Sequence, residues 1–119
     1  MRYVMLLEAA QPATPPPAEL MAAIMKLGEE ATAAGALLEN AGLAPSAAGA
    51  KITVTGGGLS VTDGPFAETK EMISYALYET RTKEEAVEWG SRFMKLHRDL
   101  WAGWEGECRV LKVMGPEDF

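Results

Sequence analysis

The side chains of this sequence best suited to proton transfer or polar anchoring are Asp63, Tyr75, His97 and the carboxylates that follow Asp63. Asp63 closes an alternating stretch and opens the corner Asp63-Gly64-Pro65-Phe66. A carboxylate at a strand end, close to apolar Phe66 and Tyr75, can take up and release a proton near neutral pH. The same carboxylate can cap a turn by accepting backbone N–H bonds, since Asp-Gly is a common turn pair. Both roles stay open on the sequence. Pro65 and Phe66 would set the corner and wall a pocket. Glu68 would supply a second carboxylate, or join Lys70 and Glu71 in a solvated charged stretch. His97 is the only histidine. It lies one helical turn after Phe93 and two after Trp89, at the edge of an inward helix face. An imidazole there suits a general base at neutral pH, or a structural group bonded to Asp99 or to a carbonyl. The candidate set is therefore Asp63 and His97 for catalysis, with Tyr75, Phe66, Pro65 and Glu68 for ligand contact.

Other chemistries find less support. No paired His, Cys or Asp spacing of a metal site occurs. Gly56-Gly57-Gly58 lacks the Lys and Ser/Thr of a phosphate loop and opens a strand rather than a helix, so a hairpin turn is expected. No cofactor is implied. Trp89, Trp101 and Trp104 suit core or dimer-edge packing, or the stacking of an aromatic ligand. Cys108 is alone, which excludes an intrachain disulfide. With 119 residues the chain has the size of one domain. Its net charge of −6 and lack of basic runs disfavour nucleic acid and anionic membrane surfaces. The apolar run Tyr3–Leu7 is too short for a signal-peptide core, and no stretch is long enough to span a bilayer. The expected location is the cytoplasm of a bacterial-type cell.

The elements that must position these residues follow from periodicity. Tyr3–Leu7 is a continuous apolar run, as in a strand buried on both faces. A linker with four prolines leads to a helix over about Ala18–Ala34, with Leu20, Ile24, Leu27, Ala31 and Ala34 on one face and Gly35 as its stop. Ala36–Asn40 reads as a second strand. Lys51–Thr55 and Leu59–Thr62 alternate around the three glycines, as in a hairpin. Met72–Thr80 reads as a strand with Ile73, Tyr75 and Leu77 on one face and Met72, Ala76 and Tyr78 on the other. Thr82-Lys83-Glu84-Glu85 is a capping box opening a helix that ends near Leu100 or Trp101. Glu107–Val113 is the last strand. This order gives an α+β fold, a ferredoxin-like split βαβ sandwich with an inserted β-hairpin. Helices cover one sheet face only, so a homodimer packed through sheet faces is expected.

The block Asp63-Gly64-Pro65-Phe66-Ala67-Glu68-Thr69-Lys70-Glu71 resembles the signature of the DGPF, or YCII-related, family. Gly42–Ser46, Glu84–Trp89, Gly103–Cys108 and Pro116–Phe119 add to the likeness, which extends over residues 1–119 as one domain. The resemblance implies a dimeric α+β barrel, in which two ferredoxin-like sheets face each other. It also implies an uncharacterised small-molecule-binding or accessory module. Some members neighbour extracytoplasmic-function sigma factors, which points to regulation. A distant relative is a dehydrochlorinase, and a His–Asp pair has been proposed as a site in the group. On that precedent the alternative is a small lyase or isomerase using Asp63 as proton acceptor. The sequence departs from the family pattern at Ser74, where glycine is common, and has no histidine in its first helix.

Overall fold

The computed structural model describes residues 1–12, 14–66 and 70–119. Glu68, a candidate ligand contact, lies outside the described residues. The elements run β1 (Arg2–Ala9), α1 (Ala18–Ala33), β2 (Leu37–Gly42), β3 (Ala50–Thr55), β4 (Gly58–Asp63), β5 (Glu71–Glu79), α2 (Lys83–Leu100) and β6 (Glu107–Lys112). Short 3₁₀ turns occupy Ser46–Ala48 and Pro116–Asp118.

Four strands form the main sheet in the order β2-β5-β1-β6, with every neighbouring pair antiparallel. The returns through α1 and α2 leave a strand's width between β1 and β2 and between β5 and β6. This is the split βαβ arrangement of a ferredoxin-like fold. β3 and β4 form a separate two-stranded sheet between the second and third main strands, which is the inserted hairpin. Its turn residues Gly56 and Gly57 have φ of 58° and 78°, the positive values a two-residue hairpin turn demands.

β1 is central, so its continuous apolar run is used on both faces. Tyr3, Met5, Leu7 and Ala9 are buried under the helices, whereas Val4, Leu6 and Glu8 are only half-buried on the other side. The helix-side core joins Tyr3, Met5, Ala31, Ala36, Tyr78 and Ala86, with Trp89 and Val110 packed against it. Helix α1 buries Leu20, Leu27 and Ala31, spaced to share one face. Thr82 caps α2 by accepting from the Glu85 amide at 3.1 Å. The Glu85 carboxylate reaches back one residue further than a standard capping box and accepts from the Arg81 amide at 3.0 Å. Arg92 of α2 bonds Glu30 of α1 at 2.6 Å and ties the two helices together on the solvent side.

Two details differ from the alternation pattern. The second strand runs Leu37–Gly42 rather than Ala36–Asn40, and Leu38 forms a bulge between Leu37 and Glu39. A second register shift, between Leu7 and Glu8, places Met72 opposite Glu8 and so breaks the facing of Met72 with Ala76 and Tyr78. Simple period-two reading cannot see either bulge, since each adds one residue to one strand only. Among the described residues, no helix is long and apolar enough to cross a membrane.

Candidate functional site

A cavity of about 440 Å³ lies between the helix-side face of the sheet and the two helices. Its floor includes Met5, Leu7 and Cys108; Leu20, Ile24 and Leu27 of α1 form one wall. The other wall is aromatic and comes from the end of α2 and the loop behind it: Phe93, His97, Trp101 and Trp104.

His97 is 4% exposed and is fixed by its neighbours. The backbone carbonyl of Phe93, one turn earlier, lies 2.9 Å from Nδ1. A carbonyl can only accept, so Nδ1 carries the proton. The Phe93 ring meets the imidazole edge-on at 4.7 Å between centroids, and the Trp104 ring lies at 4.6 Å on a tilt. The described residues offer Nε2 no hydrogen bond. None of their buried side-chain nitrogens or oxygens is sealed away unbonded, so Nε2 opens onto the cavity. Burial lowers the His97 pKa, partly opposed by the bond to Phe93. The imidazole is therefore neutral at pH 7, with Nε2 as an acceptor. Of the two structural partners expected for His97, the carbonyl is the one realised; Asp99 is held by Arg98 at 2.8 Å. Cys108 is half-buried, and burial pushes its thiol pKa up, which keeps it protonated.

The Asp63–Glu71 block meets this cavity at its far end, not at Asp63. Asp63 ends β4 opposite Ala50, with an exposed side chain, and does not line the cavity. Gly64 is the residue the corner needs. A Cβ there would collide with the Ser46 carbonyl and crowd Ala47 Cα, so only glycine lets the loop lie against the 3₁₀ turn. The Gly64 amide donates to the Gly49 carbonyl at 2.8 Å, and the Gly64–Pro65 peptide is cis. The Phe66 amide donates to Ser46 Oγ at 3.3 Å, so Ser46 takes the amide that a capping Asp63 would be expected to reach. Lys51 Nζ sits 5.2 Å from the Phe66 ring centroid. Ser46 Oγ in turn donates to Glu71 Oε1 at 2.7 Å. Glu71 is half-buried, stands opposite Ala9 at the start of β5, and lines the cavity.

Tyr75 is placed on the opposite side of the sheet. It pairs with Leu6 and Ala41, and its hydroxyl donates to Glu39 Oε1 at 2.8 Å. That bond raises the Tyr75 pKa. Tyr75 is among the residues bordering the cavity, but its hydroxyl is engaged by Glu39 rather than directed at His97. The structure thus does not bring Asp63, Tyr75 and His97 together. It gathers His97 with Glu71, Ser74 and Cys108 instead. Ser46 and Glu71 act as a pair that spacing alone could not reveal, since a loop and the hairpin separate them. Among the described residues, no group of three His, Cys, Asp or Glu side chains is arranged to hold a metal ion.

The antiparallel sheet with two helices on one face and a cavity between them defines a ferredoxin-like α+β protein. Residues 1–102 match the family model of the YCII-related domain, and the chain belongs to that family. No curated protein matches the chain significantly.

Proposed function

We propose that this YCII-related chain is a small-molecule-binding protein whose ligand fills the cavity between helices and sheet and donates a hydrogen bond to His97 Nε2. The observation that supports this reading is a buried, neutral imidazole opening onto an otherwise largely apolar space. At about 440 Å³ the cavity falls within the usual range of small-molecule sites. A mainly apolar ligand carrying one hydroxyl, amide N–H or protonated acid matches both features. An accessory or regulatory module requires no more than such a site.

One observation favours a second reading, a lyase or isomerase. The same cavity holds a carboxylate, Glu71, fixed by Ser46. A neutral His97 can take a proton from the substrate through Nε2 and, as the imidazolium, return it to another substrate atom, while a carboxylate in the same space favours that charged form. Asp63 stands outside the cavity, so in this reading His97 and Glu71 take the role that the family precedent gives Asp63.

A thermal-shift screen against a metabolite library tests the binding reading. A true hit raises the melting temperature of the wild type and of Asp63→Asn, and fails to do so for His97→Phe. At a hundred times its Kd, a ligand stabilises the native state by about 2.7 kcal/mol, a shift of several degrees for a domain of this size. A hit whose shift survives His97→Phe and disappears in Asp63→Asn places the site at the loop and defeats the cavity reading.

A further inference from the structure

The cavity between helices and sheet carries one sign of charge. Every Lys and Arg of the chain lies among the described residues, and none of them lines the cavity. Glu71 is the one acidic side chain among the described residues that line it. His97 adds no charge, being neutral at pH 7. Glu71 is also set for a partner from outside the chain. Ser46 Oγ donates to its Oε1 at 2.7 Å and fixes the carboxylate. Among the described residues nothing donates to Oε2, and no cation pairs with Glu71; the adjacent Lys70 turns to Glu107 at 3.3 Å.

The two polar anchors stand on opposite sides of β1. Glu71 enters from β5 and shares the helix side of the sheet with its partner Ala9. Helix α2 packs over β6 and β1, where Gly90 lies against Met5 and Val110, so His97 comes from the β6 side. Two strand spacings, about 10 Å, separate β5 from β6. Trp101 and Trp104 stack with centroids 6.1 Å apart and planes within 19°, and Trp104 lies against His97.

We propose that the ligand of this cavity is an arylalkylamine: its ammonium donates to Glu71 Oε2, its flat apolar body lies along the tryptophan wall, and a hydroxyl or N–H at its other end donates to His97 Nε2. This rests on the cavity reading above and narrows it. Of the donors that suit His97, a carboxylic acid is set aside, because its ionised form would face Glu71 with no Lys or Arg to neutralise either charge. An alkylamine is charged at pH 7, and a charge-assisted hydrogen bond is roughly twice as strong as a neutral one. Aromatic faces attract the same cation. The net charge of −6 draws cations toward the chain and repels anions.

Isothermal titration calorimetry at pH 7 tests the assignment with tyramine, para-ethylphenol and para-hydroxyphenylpropionate, which share a phenol and differ in the charge at the far end. The wild type should bind tyramine at least tenfold more tightly than para-ethylphenol, and the acid more weakly still. Glu71→Gln keeps an oxygen for Ser46 and should bring tyramine down to the affinity of para-ethylphenol, whose own binding stays within twofold. His97→Phe should weaken both. If Glu71→Gln lacks a wild-type-like circular dichroism spectrum, the wild-type series decides alone. Tyramine that does not bind, or binds no better than the other two, overturns the assignment, and so does a tyramine preference that persists in folded Glu71→Gln. Para-ethylphenol that matches tyramine on the wild type and is weakened by His97→Phe refutes the amine while leaving the cavity reading intact. Tyramine binding that is unchanged in His97→Phe also overturns the assignment, and its loss in Asp63→Asn would remove the cavity reading as well.

Discussion

The burial of His97 makes a prediction about stability and pH that needs no knowledge of a ligand. In the unfolded chain the imidazole titrates at its ordinary value near 6.5; in the fold, burial lowers that value. Between the two, the unfolded state binds more protons than the folded state. Stability therefore rises with pH across this window and falls as the solution is acidified below about 6.5. The steepest slope one group can give is about 1.4 kcal/mol per pH unit. If His97 stayed neutral throughout, acidification from pH 7 to 5 would cost about 2 kcal/mol from this residue. Water in the cavity beside Nε2 would solvate the charged form and reduce that figure, so it is an upper bound. Glu30, Glu85 and Asp99 also have lowered pKa values, through their bonds to Arg92, to Arg81 and to Arg98. They are exposed carboxylates whose contributions are lost at lower pH than this, and they are common to both proteins in the comparison. The assay is urea unfolding of the wild type and of His97→Phe at pH 7, 6 and 5. Phenylalanine is chosen because it does not titrate and its ring suits the Phe93 and Trp104 surroundings. The wild type should lose up to about 2 kcal/mol more than the variant over that interval. Parallel profiles, or a wild type that gains stability on acidification relative to the variant, would refute the claim that His97 is buried and neutral.

Two further substitutions test the local architecture. Gly64→Ala should destabilise the protein by about 2 kcal/mol or more in urea unfolding, since the new methyl meets backbone rather than a flexible side chain; a loss within the ordinary ±0.5 kcal/mol of a surface change would show that the loop is not pinned to the 3₁₀ turn. Thr82→Ala should cost about 1 kcal/mol by removing the acceptor for the Glu85 amide, read as a lower melting temperature, and an unchanged melting temperature would show that the Glu85–Arg81 bond alone is a sufficient cap.

The fold was legible where the periodicity was local. The helix-side face of α1, the Thr82 cap, the Gly56-Gly57 turn and the individual strands follow from residues a few positions apart, and the sheet order β2-β5-β1-β6 follows from the chain order of those elements. The bulges at Leu38 and after Leu7 were not legible, because the extra residue in each is defined by its partner strand. The site was only half legible. His97 is the one histidine, and its helical spacing from Phe93 places it near the inward face. Whether its ring points at a cavity depends on Trp104, which reaches it from beyond the end of α2. Tyr75 shows the opposite problem. Alternation grouped its side chain with Leu77, and in the structure that face lies away from the helices, a placement incompatible with sharing a pocket with His97.

The Asp63–Glu71 block shows how a family signature can consist mostly of scaffolding and still serve a site. Its first carboxylate is exposed at the end of a strand. Its glycine is required by the close approach of Ser46, whose hydroxyl accepts from the Phe66 amide and donates to the Glu71 carboxylate. The corner therefore clamps Ser46, and Ser46 orients Glu71 where β5 enters the cavity wall. The residue types that looked reactive and those that looked structural exchange places. Gly64 and Phe66 fix the geometry, and the carboxylate delivered to the cavity is the last of the block rather than the first. Such an arrangement gives a physical reason for a glycine and an acid to occur at this spacing: the glycine sets the loop against the 3₁₀ turn, and the acid ends where the next strand begins.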